Sequence, residues 1–168
     1  MTETLSPVLP DEVEEGARKL LERACQQDLT IATAESCTGG LLASLLTDVE
    51  GASHAFERGF VVYTNEAKSE LLGIPLELIE AANAVSEPVA RAMAEGALKA
   101  SRADIALSIT GFAGPGAPGD EPGRVHFGCA RNGRATKHLE MHYGDIGRGP
   151  VRIECLRTAL QMLEEALA

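Results

Sequence analysis

Leu29–Leu46 reads LTIATAESCTGGLLASLL, and its order decides the fold. A β-branched run (Thr30, Ile31, Thr33) stops at a carboxylate, Glu35. Ser36 and Cys37 follow, then Thr38 and the pair Gly39–Gly40, then an apolar helical pattern. That is strand, polar turn, helix. In an open α/β sheet, ligands bind in the crevice at the carboxyl ends of the strands. A helix start there presents unpaired N–H groups and the positive end of a dipole, which suits a phosphate or a developing oxyanion. Glycines let that backbone approach a ligand closely. One segment therefore offers a nucleophile, an acid and an anion cradle: Glu35, Ser36, Thr38, Gly39 and Gly40.

Outward from this segment the chain alternates helices and strands. Met1–Pro10 reads as a flexible tail, and residues 11–168 as a single domain. A helix begins near Pro10–Asp11 and buries Val13, Ala17, Leu20, Leu21 and Ala24 at helical spacing. The strand Thr30–Ala34 leads into a helix from about Thr38 to Thr47, with Leu41, Leu42, Leu45 and Leu46 inward. Phe56–Tyr63 reads as a second strand with Phe60, Val61 and Val62 as a buried run. Asn65 caps the next helix and Gly73 stops it. Pro75 opens a short helix. Ser86 with Pro88 opens a longer one, to about Ser101. Asp104–Thr110 is a third strand, and Gly111–Gly123 an irregular Gly/Pro-rich loop. Arg124–Ala130 and Ala135–His142 pair around Asn132–Gly133, a strong hairpin signal. A last helix covers about Pro150–Leu167. The alternation predicts a three-layer α/β/α sandwich, and the hairpin makes its sheet mixed, though mostly parallel.

The chain has 168 residues and a net charge of −10, with no Lys/Arg-dense run. Such a surface releases no counterions from DNA or RNA, so a nucleic-acid partner is not expected. No stretch approaches a membrane span and no secretion signal opens the chain, so a membrane partner is not expected and the cytoplasm is. Four scattered cysteines (Cys25, Cys37, Cys129, Cys155) read as reduced thiols without metal spacing.

Three polar loops follow strands: Glu35–Gly40, Tyr63–Lys68 and Thr110–Gly123. Parallel strands gather them at one sheet edge. Ser36 and Ser53 are the candidate serine nucleophiles. A serine needs a base to remove its proton, and Lys68 supplies one, since Ser–Lys pairs follow the logic of the catalytic triad. Tyr63 relays or orients the proton. Cys37 is a rival nucleophile, or a small buried residue behind the loop. Thr110 and Gly111 stand where a ligand hydrogen bond is wanted. Arg148 and Arg152 flank a helix start, where the dipole disfavours a cation; that placement suits a bound phosphate. Each residue also has a plain structural reading: Ser36 a cap, Ser53 a turn former, Tyr63 a strand end, Lys68 and the arginines solvated charges.

The segments Thr33–Gly40 (TAESCTGG), Gly51–Ser53, Phe56–Gly59, Val62–Lys68 (VYTNEAK), Ala84–Pro88, Ser108–Gly111 with Ala113–Pro115, and Gly144–Asp145 give the chain its resemblance to the CinA C-terminal domain family. They run in order along almost the whole length. The resemblance implies a five-stranded mixed sheet in an α/β/α sandwich. It implies hydrolysis of the carboxamide of nicotinamide mononucleotide to nicotinate mononucleotide and ammonia, without metal or cofactor, in pyridine-nucleotide salvage. Ser36, Ser53, Tyr63, Lys68 and Thr110 would line the site around a small nucleotide substrate, and the family is consistent with a homo-oligomer. The alternative is a nucleotide-binding or regulatory module without turnover. In the family an arginine usually follows the Gly-Asp pair directly. Here Ile146–Gly147 intervene, leaving Arg148 and Arg152 both as candidates for the phosphate.

Overall fold

The computed structural model describes residues 9–168, with the side chain of Ser53 outside that description. The tail expected over 1–10 lies, through residue 8, outside the described residues as well. The strands are β1 (Ile31–Glu35), β2 (Phe56–Val61), β3 (Ile105–Gly111), β4 (Arg124–Arg131) and β5 (Lys137–His142). The helices are α1 (Asp11–Gln26), α2 (Leu41–Thr47), α3 (Asn65–Leu72), α4 (Leu76–Ala82), α5 (Glu87–Lys99) and α6 (Arg148–Leu167). The sheet order is β2-β1-β3-β4-β5. β1 pairs parallel with β2 and with β3, whereas β3–β4 and β4–β5 are antiparallel. Pairings are thus evenly split, yet only β4 runs against the other four strands. The chain crosses from β1 to one side for β2 and to the other for β3. This switch point between β1 and β3 is where an α/β sheet opens a ligand crevice.

The period-2 alternation of strand side chains sorts the core into two layers. Ile31, Ile105, Leu107 and Ile109 face α1, α2 and α6, forming the larger core with Leu20, Leu21, Leu42, Leu46, Leu156 and Leu163. Ala32, Ala34 and Ala106 face α3, α4 and α5, with Val62, Leu72, Ile79 and Met93. Side chains on the α5 face are small, and the helix comes close. At Gly128 a Cβ would run into the Ala90 carbonyl of α5. Ser108 Oγ donates to that same carbonyl at 2.6 Å and accepts from Gly128 N at 3.1 Å. Helices α3 and α5 also touch through backbone. A Cβ at Gly96 would run into the Leu72 carbonyl oxygen.

Three local expectations change. Thr38–Gly40 is a turn rather than helix, because Gly39 and Gly40 take positive φ (60° and 95°), and α2 starts at Leu41. β2 is an edge strand whose residues are all exposed or half-buried, and of the run Phe60–Val62 only Val62 is buried. The α3 cap is Thr64, whose hydroxyl accepts from Ala67 N at 3.0 Å, with Asn65 as first helical residue.

Candidate active site

Because β1, β2 and β3 run in parallel, the loops after them share one edge of the sheet, and the loop after β5 joins them there. Ser36 follows β1 directly and is fixed by its amide, which donates to the Ile109 carbonyl of β3 at 3.0 Å. Only 8% of it is exposed. From α3, Lys68 reaches under this loop. Its Nζ lies 3.2 Å from Ser36 Oγ and 3.0 Å from the Tyr63 carbonyl. The lysine is 1% exposed and has no carboxylate partner among the described residues. Burial pushes its amine below the ordinary lysine value of 10.5, and the nearby Cys37 thiol partly opposes that shift. A buried amine with a lowered pKa, hydrogen-bonded to a serine, is the arrangement that activates a hydroxyl without histidine.

Tyr63 enters this geometry by its main chain. Its carbonyl holds the amine, while 71% of the residue faces solvent and its phenol bonds neither Lys68 nor Ser36.

The carboxylate of Glu35 is engaged by the chain's own backbone. It is fully buried, and its two carboxylate oxygens accept from Leu42 N at 2.9 Å and Ala43 N at 3.0 Å. The anion cradle expected at the start of α2 is occupied by the chain's own carboxylate. What the turn leaves open lies one step earlier. Among the described residues the amides of Thr38 and Gly40 find no acceptor and the buried Thr38 hydroxyl no partner. Gly39 and Gly40 supply the left-handed backbone that the turn requires.

Thr110 is also turned inward. Its hydroxyl donates to the Ala84 carbonyl at 2.9 Å and ties the end of β3 to the entrance of α5. Gly111 lacks a side chain because β4 lies against it; a Cβ would stand 2.7 Å from the Arg124 carbonyl and from Val125 Cα. Neither position is an open ligand donor.

Ser53 lies in a short 3-10 turn, Ser53–Ala55, that leads into β2. The parallel register Ile31↔Phe56 sets its backbone at the amino-terminal edge. The six residues of β2, at about 3.3 Å each, separate it from the edge that carries Ser36 and Lys68. Within one chain the two serines therefore belong to opposite edges. Cys37 is buried in the larger core. Its thiol is held below the ordinary range, chiefly by a hydrogen bond from Cys155 of α6. It is the small residue behind the loop.

Both arginines reach the carboxyl edge. Arg152 Nε donates to the Cys37 carbonyl at 2.9 Å, clamping the Ser36 turn from the α6 side. The guanidinium of Arg148 lies over Gly114, with Nη2 3.5 Å from the place of a Cβ there. Neither has a carboxylate partner among the described residues. Of the residues read as functional, the structure brings together Ser36, Lys68, the Tyr63 carbonyl, Thr38, Gly39, Gly40 and, around the same edge, Arg148 and Arg152. Thr110 stands beside Ser36 on the neighbouring strand with its hydroxyl committed to the Ala84 carbonyl, Gly111 follows it against β4, Glu35 bonds the amides at the start of α2, and the backbone of Ser53 lies at the other edge of the sheet. The Tyr63 carbonyl and the unpartnered Thr38 hydroxyl were not legible as such, since main-chain roles and hydrogen-bond vacancies leave no residue-type signal.

The family model for the CinA C-terminal domain matches residues 13–167. The nicotinamide-nucleotide amidohydrolase PncC of Escherichia coli K12 is 48% identical over 137 residues, covering 80% of this chain and 82% of that protein. A putative competence-damage inducible protein of Symbiobacterium thermophilum is 57% identical over 111 residues, covering 65% of this chain but 26% of that protein. The matched region is likewise 29% and 37% of the CinA-like proteins of Akkermansia muciniphila and Syntrophus aciditrophicus. Among solved structures, the competence/damage inducible protein CihA of Agrobacterium tumefaciens superposes with a TM-score of 0.91 at 44% identity, covering 96% of this chain and 99% of that one. No described helix is long and apolar enough to cross a membrane.

Proposed function

The chain belongs to the CinA C-terminal domain family, and from that footing we propose that it is an amidohydrolase that converts nicotinamide mononucleotide and water into nicotinate mononucleotide and ammonia. The observation that carries this reading is the Lys68 Nζ–Ser36 Oγ contact of 3.2 Å, made at a buried amine beside a turn with unclaimed N–H groups. The relatives named as nicotinamide-nucleotide amidohydrolases support the substrate.

In this reading neutral Lys68 takes the Ser36 proton as Oγ attacks the carboxamide carbon. The oxyanion forms against the Thr38 and Gly40 amides, where donors fixed in advance lower the barrier. Protonated Lys68 gives its proton to the departing nitrogen, and ammonia leaves. Water then attacks the Ser36 ester with Lys68 again as base, which releases nicotinate mononucleotide and restores the serine. Arg148 and Arg152 receive the phosphate, with fork geometry suited to it. The Tyr63 phenol, open to solvent, borders the site without sharing the amine's hydrogen bonds. The reading takes the cytoplasm as the setting and a homo-oligomer as the working form. Incubation of the pure protein with nicotinamide mononucleotide should release ammonia and nicotinate mononucleotide in equal amounts. Saturable binding without ammonia would replace the enzyme by a nucleotide-binding module.

A further inference from the structure

Ser36 directly follows an acid whose carboxylate bonds neither the serine hydroxyl nor the Lys68 amine. Glu35 precedes the serine in sequence, and strand alternation sends the glutamate to the α2 side of the sheet. There it is fully buried. Each carboxylate oxygen takes one amide of the first turn of α2, Leu42 N at 2.9 Å and Ala43 N at 3.0 Å. A buried carboxylate without a cation beside it is costly unless hydrogen-bonded, and two main-chain donors at a helix start satisfy it. The residues between, 36–40, are thus a closed loop. One end is the strand and the other is pinned to the strand's last side chain. Arg152 Nε holds the same loop at the Cys37 carbonyl from the opposite side.

We propose that Glu35 is the positioning residue of the nucleophile loop: by claiming the Leu42 and Ala43 amides it sets where Ser36 Oγ meets Lys68 and keeps the Thr38 and Gly40 amides unclaimed for the oxyanion. The inference rests on the amidohydrolase reading for its kinetic consequence, but not for its structural one. Were the helix start left uncapped, the turn amides would be free to rearrange, and misplacement of a reacting atom by about 1 Å can cost on the order of 100-fold in rate.

The test uses the full chain with Glu35→Gln, which keeps length and volume but turns an NH2 group toward one of the two amides, and Glu35→Asp, which keeps the charge but shortens the reach. Both should lower kcat by about tenfold or more while KM for nicotinamide mononucleotide stays within about threefold, the pattern of lost transition-state positioning. Labelling of Ser36 by a fluorophosphonate probe should slow in parallel, and the pH midpoint assigned to Lys68 should not move. A rise in KM with kcat intact would make Glu35 a substrate contact and overturn the proposal, as would a kcat within twofold of wild type. Amide hydrogen exchange on the unaltered protein gives a readout independent of folding of the variants and of turnover. Leu42 and Ala43 should exchange far more slowly than Thr38 and Gly40; equal exchange overturns the clamp. If the wild-type protein releases no ammonia while Leu42 and Ala43 are protected, the amidohydrolase reading fails and the clamp stands.

Discussion

Lys68 Nζ and Ser36 Oγ, from residues 32 apart in sequence, lie 3.2 Å apart in a buried contact. The lysine comes from α3, which packs against α4 and α5, and the serine from the turn that continues β1.

Lys68→Met keeps an apolar stem in the same space and removes the amine. It should lower kcat for ammonia release by on the order of 10²- to 10⁴-fold, the contribution of a positioned general base. Ser36→Ala should cost at least as much, whereas Ser53→Ala should leave kcat within a few-fold, because its backbone lies at the other edge of the sheet. Steady-state assays of the three variants decide it; near-normal turnover by Lys68→Met removes the amine from the mechanism.

The pH–rate profile should rise with pH. Lys68 acts as base only when neutral, and burial lowers its pKa from 10.5, so the midpoint falls below that value. The Cys37 thiol works against the shift. Cys37→Ala should therefore move the midpoint to still lower pH, read from kcat/KM between neutral and alkaline pH.

The pair of buried His126 and half-buried His138, with Nδ1 and Nε2 2.9 Å apart, should weaken the fold in acid. Burial lowers both from 6.5, partly opposed by Glu140 beside His126 and by Glu87 beside His138. The unfolded chain thus binds more protons than the native one as pH falls past 6.5, and stability rises with pH through that window. His126→Asn should lose less Tm than wild type between pH 7.5 and pH 5, as thermal melts at the two pH values would register.

Gly96→Ala should destabilise, against the usual helix preference for alanine of about 1 kcal/mol. The added methyl meets the Leu72 carbonyl, and overpacking of this kind costs roughly 1–3 kcal/mol. Because Leu72 ends the helix that carries Lys68, kcat should fall together with Tm. A variant with higher Tm and full activity would show that the two helices separate freely.

Much of this was legible because the signals are local. The α1 stripe Val13, Ala17, Leu20, Leu21, Ala24 is buried as its spacing predicts. Ser86 caps α5, and Asn132–Gly133 joins the two antiparallel strands. The convergence of loops at one edge followed from parallel pairing alone. The departures are matters of what faces what. Phe60 and Val61 look like a buried run, but β2 has a neighbour on one side only. Glu35 bonds amides seven and eight residues ahead, beyond the span of a capping box. The position of Ser53 follows from topology: in a strand–helix–strand unit with parallel strands, whatever enters the second strand stands at the far edge from whatever leaves the first.

The Gly96–Leu72 contact has a further meaning. With no side chain between them, two helix backbones touch, so the height of the amine above the sheet is set by main chain against main chain, like a shim of fixed thickness. Core side chains elsewhere can exchange one hydrocarbon shape for another without altering that thickness. Tolerance to mutation in this protein should therefore be high where helices rest on leucines and abruptly low at one hydrogen atom of α5.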